Sequence, residues 1–548
     1  MTTTMNVSLI AINAKNIHKS PAPWYLKTYC EEKRMENISV IEVNINNKIY
    51  ETVSKIYEAQ PTVAAFSCYI WNIDYVNKTA PLLKKLRPNL TIVLGGPEVS
   101  FEENLNNYPY ADYIIKGAGE KVFYELMVQI EKNGRAEPKL IDGCGLGFEN
   151  YPSPYTDDYF NSFKTNQIPD IQNQLVYYES SRGCPFSCAY CLSSADKGVQ
   201  YLPIERVKHD LLRFMKHGAK CIKFVDRTFN SNKRRTKQIL EFIGGLDTDC
   251  VFHFEVAADL FDDELLWIVE KLPICRVQFE IGIQTINEET LSAVCRKTNT
   301  ALALQNIKTL TSFQNCHIHV DLIAGLPYET LDTFVESINQ CILCKPNMLQ
   351  LGFLKMLKGT RIRKESDSFK AIFADFAPYE VYQTETMSHS DFMKLKKIEG
   401  VIDRFYNCGG FALSVEYGIK LLGSPYKFFD AFSDYLGGVG ETKLSLKNAY
   451  TTLYNFLLAN GGGNEATHRI KLDCFAFDAG ASLPDTIPQQ RNKQAELSFK
   501  KEFEHKKFRV EFFEFENKYM LFNFEKKNPI TTRYESRELV INWVQELE

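Results

Sequence analysis

Residues 177–194 read YYESSRGCPFSCAYCLSS, and they contain three cysteines, Cys184, Cys188 and Cys191. Three residues separate the first pair and two separate the second, with no obvious fourth ligand nearby. A structural zinc site wants four ligands, usually as two CxxC or CxxH pairs. A ferredoxin-type 4Fe–4S site uses four cysteines. Three thiolates on a cubane leave one iron with an open coordination position, where a substrate or cofactor can bind directly. Gly183 and Pro185 suit a tight turn at the first ligand. The extended apolar segment QLVYYES (174–180) leads into the loop, which predicts that the loop sits at the carboxyl end of a strand.

Downstream the same alternation recurs. Strand candidates are CIKFVDR (221–227), VFHFEVA (251–257), RVQFEIGIQ (276–284), CHIHVDLIAGL (316–326) and MLQLGFLKM (348–356), with helical patterns between them. Six βα units of this size give an open barrel or a large doubly wound sheet. In barrels the carboxyl ends of the strands carry the chemistry.

Upstream lies a second α/β series. VSLIAIN (7–13), ISVIEVNI (38–45), TVAAFSCYI (62–70), LTIVLGGPE (90–98) and ADYIIKG (111–117) read as strands with helices between them. That predicts a parallel, doubly wound sheet over residues 1–140, with ligands beyond its strand carboxyl ends. Residues 141–172 are rich in Gly, Pro, Asn and Asp and read as a linker. The barrel-like region is then 173–365. Residues 366–548 read as a mostly helical domain ending in a β-hairpin, KFRVEFFEFENKYMLFNFEKK (507–527), which shapes substrate access.

Composition narrows the class. The 548-residue chain has 45% hydrophobic and 24% charged residues and a net charge of −4. That is ordinary globular material, and its charge argues against nucleic acid as a partner. No apolar run is long enough to span a membrane, and the N-terminus lacks a signal-peptide pattern, so the expected location is cytoplasmic. Fifteen cysteines, an odd number, argue against a disulfide framework and suit an anaerobic setting. Cys341 and Cys344 form a second CxxC, read as core thiols on a helix. His317 and His319 alternate on a strand and share a face.

The cysteine loop, in this strand context and with Tyr190 before its last cysteine, resembles the radical S-adenosylmethionine (SAM) superfamily. The resemblance implies a partial (βα)6 barrel and a 4Fe–4S cluster whose open iron is chelated by SAM. It implies cleavage of SAM to a 5′-deoxyadenosyl radical. Later segments resemble the same family. DRTFN (226–230), with Asp226 and Thr228, is placed like the loop contacting the SAM amino group, although an Asx cap explains such residues equally well. Glu255 matches an acidic position facing SAM. EIGIQT resembles an E-x-G-x-Q segment with Glu280 and Gln284, the latter facing the ribose. Arg296 would pair with the SAM carboxylate. DLIAGLPYET would bring Asp321 to the ribose hydroxyls and Gly325 to the adenine. KGTRI (358–362) resembles a PGT turn with Lys358 in place of proline.

In the N-terminal region, LGGPEVSF (94–101) followed by IIKGAGE (114–120) resembles the cobalamin-binding domain that precedes the barrel in one large subfamily. That implies a cobalamin pocket formed by Gly95, Gly96, Pro97, Glu98, Gly117, Gly119 and Glu120, together with Cys68, Tyr69, Trp71 and Asn72 of CYIWNID (68–74). Trp71 and Asn72 serve equally well as packing and capping residues. The D-x-H-x-x-G motif that supplies a lower cobalt ligand elsewhere is missing, and His18 is the only histidine among the first 150 residues.

The resemblance implies a cobalamin-dependent radical SAM enzyme, first a methyltransferase acting on an unactivated carbon through methylcobalamin. A non-methylating rearrangement or oxidation is the alternative. A non-catalytic Fe–S/cobalamin redox sensor is the reading from another class. The implied partners are a small-molecule or peptide substrate and an external electron donor such as flavodoxin or ferredoxin.

Overall fold

The computed structural model describes residues 5–143, 147–148, 150–164, 170–194, 198–439, 444–499 and 507–539. The first sheet is built from β1 (Val7–Asn13), β3 (Ile38–Asn44), β4 (Val63–Ser67), β5 (Thr91–Gly95), β6 (Tyr113–Lys116) and β7 (Leu140–Asp142). A short strand, β2 (His18–Lys19), falls between the first two. The sheet order is β3-β1-β4-β5-β6-β7, and every neighbouring pair is parallel. Near-continuous burial along VSLIAIN follows from helices covering both faces. These are α1 (Ala22–Glu32), α2 (Ile49–Glu58), α3 (Ile73–Leu86) and α4 (Glu120–Asn133). This is the flavodoxin-like order. Its switch point lies between β1 and β4, where the chain leaves the first strand in opposite directions. The loop Cys68–Asn72 leaves β4 at that point.

The second sheet holds β8 (Leu175–Tyr178), β11 (Cys221–Phe224), β12 (Val251–Val256), β13 (Val277–Gln284), β14 (His317–Ala324) and β15 (Met348–Phe353). All six are parallel neighbours in chain order, the arrangement of an open (βα)6 barrel. β9 (Ser181–Cys184) and β10 (Gly198–Tyr201) form an antiparallel hairpin that carries the cysteine loop. Gly183 is required there, since a Cβ would collide with the Gly198 carbonyl.

Two features depart from the sequence reading. The barrel sheet has a seventh strand at its edge, because β2 pairs in parallel with β8. The N-terminal domain is thereby spliced into the barrel. Lys19 on β2 is 1% exposed, ion-paired with Glu42 of β3, and lies 4.6 Å from the Phe163 ring and 5.0 Å from that of Trp24. The stretch 141–172, read as a linker, is largely packed over its described residues. It begins with the end of β7, and its Tyr155, Tyr159, Phe160 and Phe163 are buried in the barrel's core. Its polar composition concealed an aromatic recurring every three or four residues.

The C-terminal region is helical as expected, with helices at His389–Val401, Ala412–Leu422, Pro425–Val439, Leu446–Ala459 and Gly463–Asp478. A small β16 (Ile372–Phe373)–β17 (Val381–Gln383) pair precedes them. The expected hairpin is present as β18 (Phe508–Phe513) and β19 (Lys518–Lys527), and a third strand, β20 (Tyr534–Leu539), joins it. The helices share one continuous core with the barrel. Cys341 and Cys344 lie in that core, as read.

Candidate functional site

The cysteine loop is fixed from several sides. The Ala189 amide donates to Val294 O (2.9 Å), and Ala189 O accepts from the Ile362 amide (3.0 Å). The carboxylate of Asp226, 2% exposed, accepts from both Ser180 and Ser181 amides (2.7 and 2.9 Å) and from the Ser180 hydroxyl (2.5 Å). Both its oxygens are taken up in holding the strand exit before Cys184, rather than facing the expected SAM amino group. Thr228 Oγ1 lies 3.7 Å from Cys184 Sγ, so that part of DRTFN does reach the loop. All three loop cysteines are free thiols. Among the described residues, no three His, Cys, Asp or Glu side chains are grouped as a single metal ion would need. A cubane cluster takes each thiolate at its own corner, and a loop of separated thiols suits it.

Arg296 sits over this loop. Its Nη1 donates to Tyr190 Oη (3.1 Å) and lies 3.8 Å from Cys188 Sγ, and its Nη2 donates to the Gly282 carbonyl. Burial pushes the Cys188 thiol up, and the Arg296 guanidinium opposes that shift. Gln284 adopts φ +70° and folds its amide over Gly282, where any Cβ would collide with it. The E-x-G-x-Q spacing is thus explained by space: the glycine leaves room for the glutamine amide beside the guanidinium. Arg296 Nε and Gln284 Oε1 are buried without hydrogen-bond partners. Such orphaned groups carry a desolvation cost until a ligand meets them. They fit the carboxylate and hydroxyls of SAM.

The barrel's concave face is polar. Residues of β13 alternate between fully buried outward positions and half-accessible inward ones. Glu255 and Glu280 are register partners on β12 and β13, and Asp321 on β14 is opposite Gly282. The three candidate carboxylates therefore share one wall, but they are not equivalent. Glu255 is raised to about 7 by burial, against the pull of Arg227 and Lys223. For Glu280, burial is outweighed by His253 (2.9 Å) and Lys223 (2.7 Å), which bring it down to about 2. Glu280 is thus committed inside the barrel rather than free for SAM. Asp321 stands 3.0 Å from His319 Nε2, which opposes the upward push that burial gives its carboxyl. Gly325, at φ +91°, leaves room for Phe392 of the C-terminal helix His389–Val401. Its freedom serves packing of the C-terminal region against the barrel rim, where an adenine contact was expected.

At the carboxyl edge of the first sheet, Tyr69 and Trp71 stack with centroids 4.3 Å apart, and Trp71 is 46% exposed. A flat aromatic pair at the switch point, with Tyr69 half-buried and Trp71 exposed, suits a planar macrocycle. The Asn72 side chain is spent on holding the loop to β1 and β4 and does not cap α3. Its Nδ2 donates to Ile12 O and Ser67 O (both 2.9 Å), and its Oδ1 accepts from the Tyr69 amide (2.8 Å). Cys68 is fully buried, its amide donating to Gly95 O (2.7 Å) and its carbonyl accepting from the Glu98 amide (3.2 Å). Gly96, at φ +106°, is demanded by that close approach, with Pro97 next on the loop. Gly117 donates to Ser100 Oγ (3.1 Å), and Gly119 caps α4.

Glu98 and Glu120, expected at cobalamin, instead bridge domains. Glu120 pairs with Arg182 (2.9 Å), two residues before Cys184, and Arg182 also pairs with Glu179 (2.9 Å). Glu98 lies 3.4 Å from Lys358, which also reaches Glu102 (2.9 Å), and Glu98 accepts from Tyr379 of the C-terminal region. Gly359 leaves room for the Phe101 ring. The lysine that replaces proline in the KGT turn is a three-way joint. Sequence reasoning missed Arg182 and the Lys358 partners because ion pairs between distant segments leave no local pattern. The only signal was Lys358 itself, out of place in its motif.

Fold and site together define a radical SAM barrel joined to a cobalamin-type doubly wound domain. Residues 7–127 match the B12 binding domain and residues 178–341 the radical SAM superfamily. Residues 367–535 match a family described as protein of unknown function (DUF4080). The chain is a radical SAM protein with an N-terminal B12-binding domain, and its cofactors are a 4Fe–4S cluster, SAM and cobalamin. It is 25% identical over 320 residues to the cobalamin-dependent radical SAM methyltransferase TokK of Streptomyces tokunonensis, covering 52% of this chain and 45% of that protein. It thus spans under half the length of that relative. An anaerobic magnesium-protoporphyrin IX monomethyl ester cyclase of Synechocystis is 23% identical over 250 residues, 42% of this chain and 48% of that protein. In fold, the chain resembles the methyltransferase TsrM of Kitasatospora setae with cobalamin and a [4Fe–4S] cluster bound (TM-score 0.53, 15% identity, 68% of this chain and 76% of that one). It also resembles the enzyme OxsB with aqua-cobalamin and SAM bound (TM-score 0.56, 14% identity, 84% and 79%). Among the described residues no helix is long and apolar enough to cross a membrane.

Proposed function

We propose that the protein is a cobalamin-dependent radical SAM methyltransferase acting on an unactivated carbon of a small substrate in the cytoplasm. The supporting observation is the pair of ion contacts, Arg182–Glu120 and Lys358–Glu102, that ties together the carboxyl-edge loops of the two sheets. Ligands of both fold types gather at those edges. The substrate then lies between them. When bound, the cluster with SAM supplies a hydrogen-abstracting radical, and cobalamin supplies a transferable methyl group. The chain's own contribution is binding and orientation. Arg296 and Gln284 offer a charged donor and a free acceptor to SAM. Tyr69 and Trp71 offer an aromatic surface to the corrin. Arg182 and Lys358 hold the spacing. Pro185 and Ser187 of the cysteine loop are exposed, which leaves a side from which flavodoxin or ferredoxin can deliver an electron.

A second reading keeps the cofactors and replaces methyl transfer with a rearrangement or oxidation. The cyclase among the relatives favours it. Anaerobically reconstituted protein with SAM, cobalamin and reductant decides between them. Methyl transfer yields S-adenosylhomocysteine and 5′-deoxyadenosine in equal amounts with a methylated product. 5′-Deoxyadenosine and product without S-adenosylhomocysteine select the second reading. Neither nucleoside, from protein that carries cluster and SAM, selects a sensor.

A further inference from the structure

Closed βα barrels fill their interiors with layered branched apolar side chains. Here the inward positions below Gly282 are polar: Lys223 on β11, His253 on β12, Glu280 on β13, and His317 and His319 on β14, with Asp321 at the level of Gly282. His253 and His319 are 8% and 7% exposed. His253 Nε2, His317 Nδ1 and His319 Nε2 are all buried without a hydrogen bond, although two of them stand within 3.0 Å of a carboxylate oxygen. The two close contacts are ion pairs, which leaves the far ring nitrogen of each of those imidazoles, and Nδ1 of His317, for a ligand. A layer that merely plugged the barrel would be satisfied internally or apolar, because a buried polar group without a partner is costly.

The charges of this layer cancel. Lys223 Nζ is 2.7 Å from Glu280 Oε2, His319 is matched by Asp321, and Glu255 on the same wall faces Arg227. Burial holds His317 down at about 4, with His319 and His253 adding to the effect, so it is neutral at pH 7. Burial also lowers His253, against Glu280. A carboxylate, phosphate or ammonium lodged here would bring an uncompensated charge. A hydrocarbon would leave the imidazoles desolvated and unmet.

We propose that this histidine layer is the floor of the substrate pocket, and that it takes an uncharged hydrogen-bonding head group, such as a carboxamide, a hydroxyl or a nitrogen heterocycle. The inference rests on the radical SAM reading for the pocket's upper wall. It adds the chemistry of the buried end of the substrate. Neutral His253 and His317 each offer one donor and one acceptor and His319, paired with Asp321, offers a donor, so a head group that both donates and accepts meets them without adding charge.

The test uses the full chain, reconstituted with cluster, SAM and hydroxocobalamin, and labelled with 13C at histidine Cε1. The chain has nine histidines, and His→Asn variants assign the three of interest. Acetamide and nicotinamide are titrated against size-matched acetate and ethylammonium. The proposal expects saturable shifts of the His253, His317 and His319 signals with the amides, and at least tenfold weaker responses to the two ions. It expects His319→Asn to weaken the response of the remaining two signals at least tenfold. Ions that shift these signals as strongly as the amides overturn the proposal, and so does silence from all four probes. The wild-type titration does not depend on any variant folding. 5′-Deoxyadenosine formation is assayed on the same sample. Its absence counts against the proposed function and leaves the histidine signals to judge the pocket.

Discussion

Lys358 Nζ stands 2.9 Å from Glu102 Oε1, joining the turn after the last barrel strand to the glycine-rich loop of the cobalamin domain. Both side chains are mostly buried, at 23% and 8% exposure, and Glu98 lies 3.4 Å from the same ammonium. The joint binds three parts of the chain at the carboxyl edge of the first sheet. Lys358→Met strands two acidic groups in a partly buried place and is expected to cost about 2 kcal/mol of interdomain stability. Limited proteolysis of the N-terminal domain reads this. Pairing it with Glu102→Gln in a double-mutant cycle should recover part of the loss; strict additivity would show that the contact contributes nothing.

Arg296→Lys retains charge but loses the planar fork that reaches Tyr190, Gly282 and the free Nε direction. SAM affinity, by calorimetry on cluster-loaded protein, should fall roughly tenfold or more. The visible spectrum of the cluster should persist.

Cys188→Ala removes a loop thiol that is 7% exposed and faces Arg296. Reconstituted protein is expected to lose its iron and its broad cluster absorbance. Far-UV circular dichroism should barely change, because the loop's backbone is held by Val294 and Ile362. Retention of four irons per chain would refute the ligand assignment.

Glu255 gives a pH signature. Burial raises its carboxyl from the ordinary 4.5 to about 7. Between those values the native state holds a proton that the unfolded chain releases. Stability should therefore decline as pH rises through this window, at ~1.4 kcal/mol per pH unit and by a few kcal/mol at most. Glu255→Gln should flatten the slope. Urea unfolding of the cofactor-free protein at pH 5 and 7 tests the sign.

Much of the architecture was legible because a parallel strand covered on both faces leaves a long apolar run, as in VSLIAIN, while a barrel strand with a polar concave face alternates, as in VQFEIGIQ. The cysteine loop and E-x-G-x-Q were legible for a related reason: their roles depend on local spacing. The roles of Glu98, Glu120, Asp226 and Glu280 were not. Each carboxylate finds its partner on a segment far away in the chain, and a carboxylate committed to Lys358, Arg182, the Ser180–Ser181 amides or Lys223 reads the same in sequence as a free one.

By itself the sequence determined two α/β units, a three-thiolate loop at a strand exit and the glycines of both cofactor edges, since periodicity and spacing act within a few residues. Tertiary structure alone decided how the units join: β2 crossing into the barrel sheet, the buried aromatics of 150–164, and the Arg182 and Lys358 joints. It also decided that histidines of β12 and β14 meet carboxylates inside the barrel. Both depend on which distant side chains meet after folding, and burial then sets their charge.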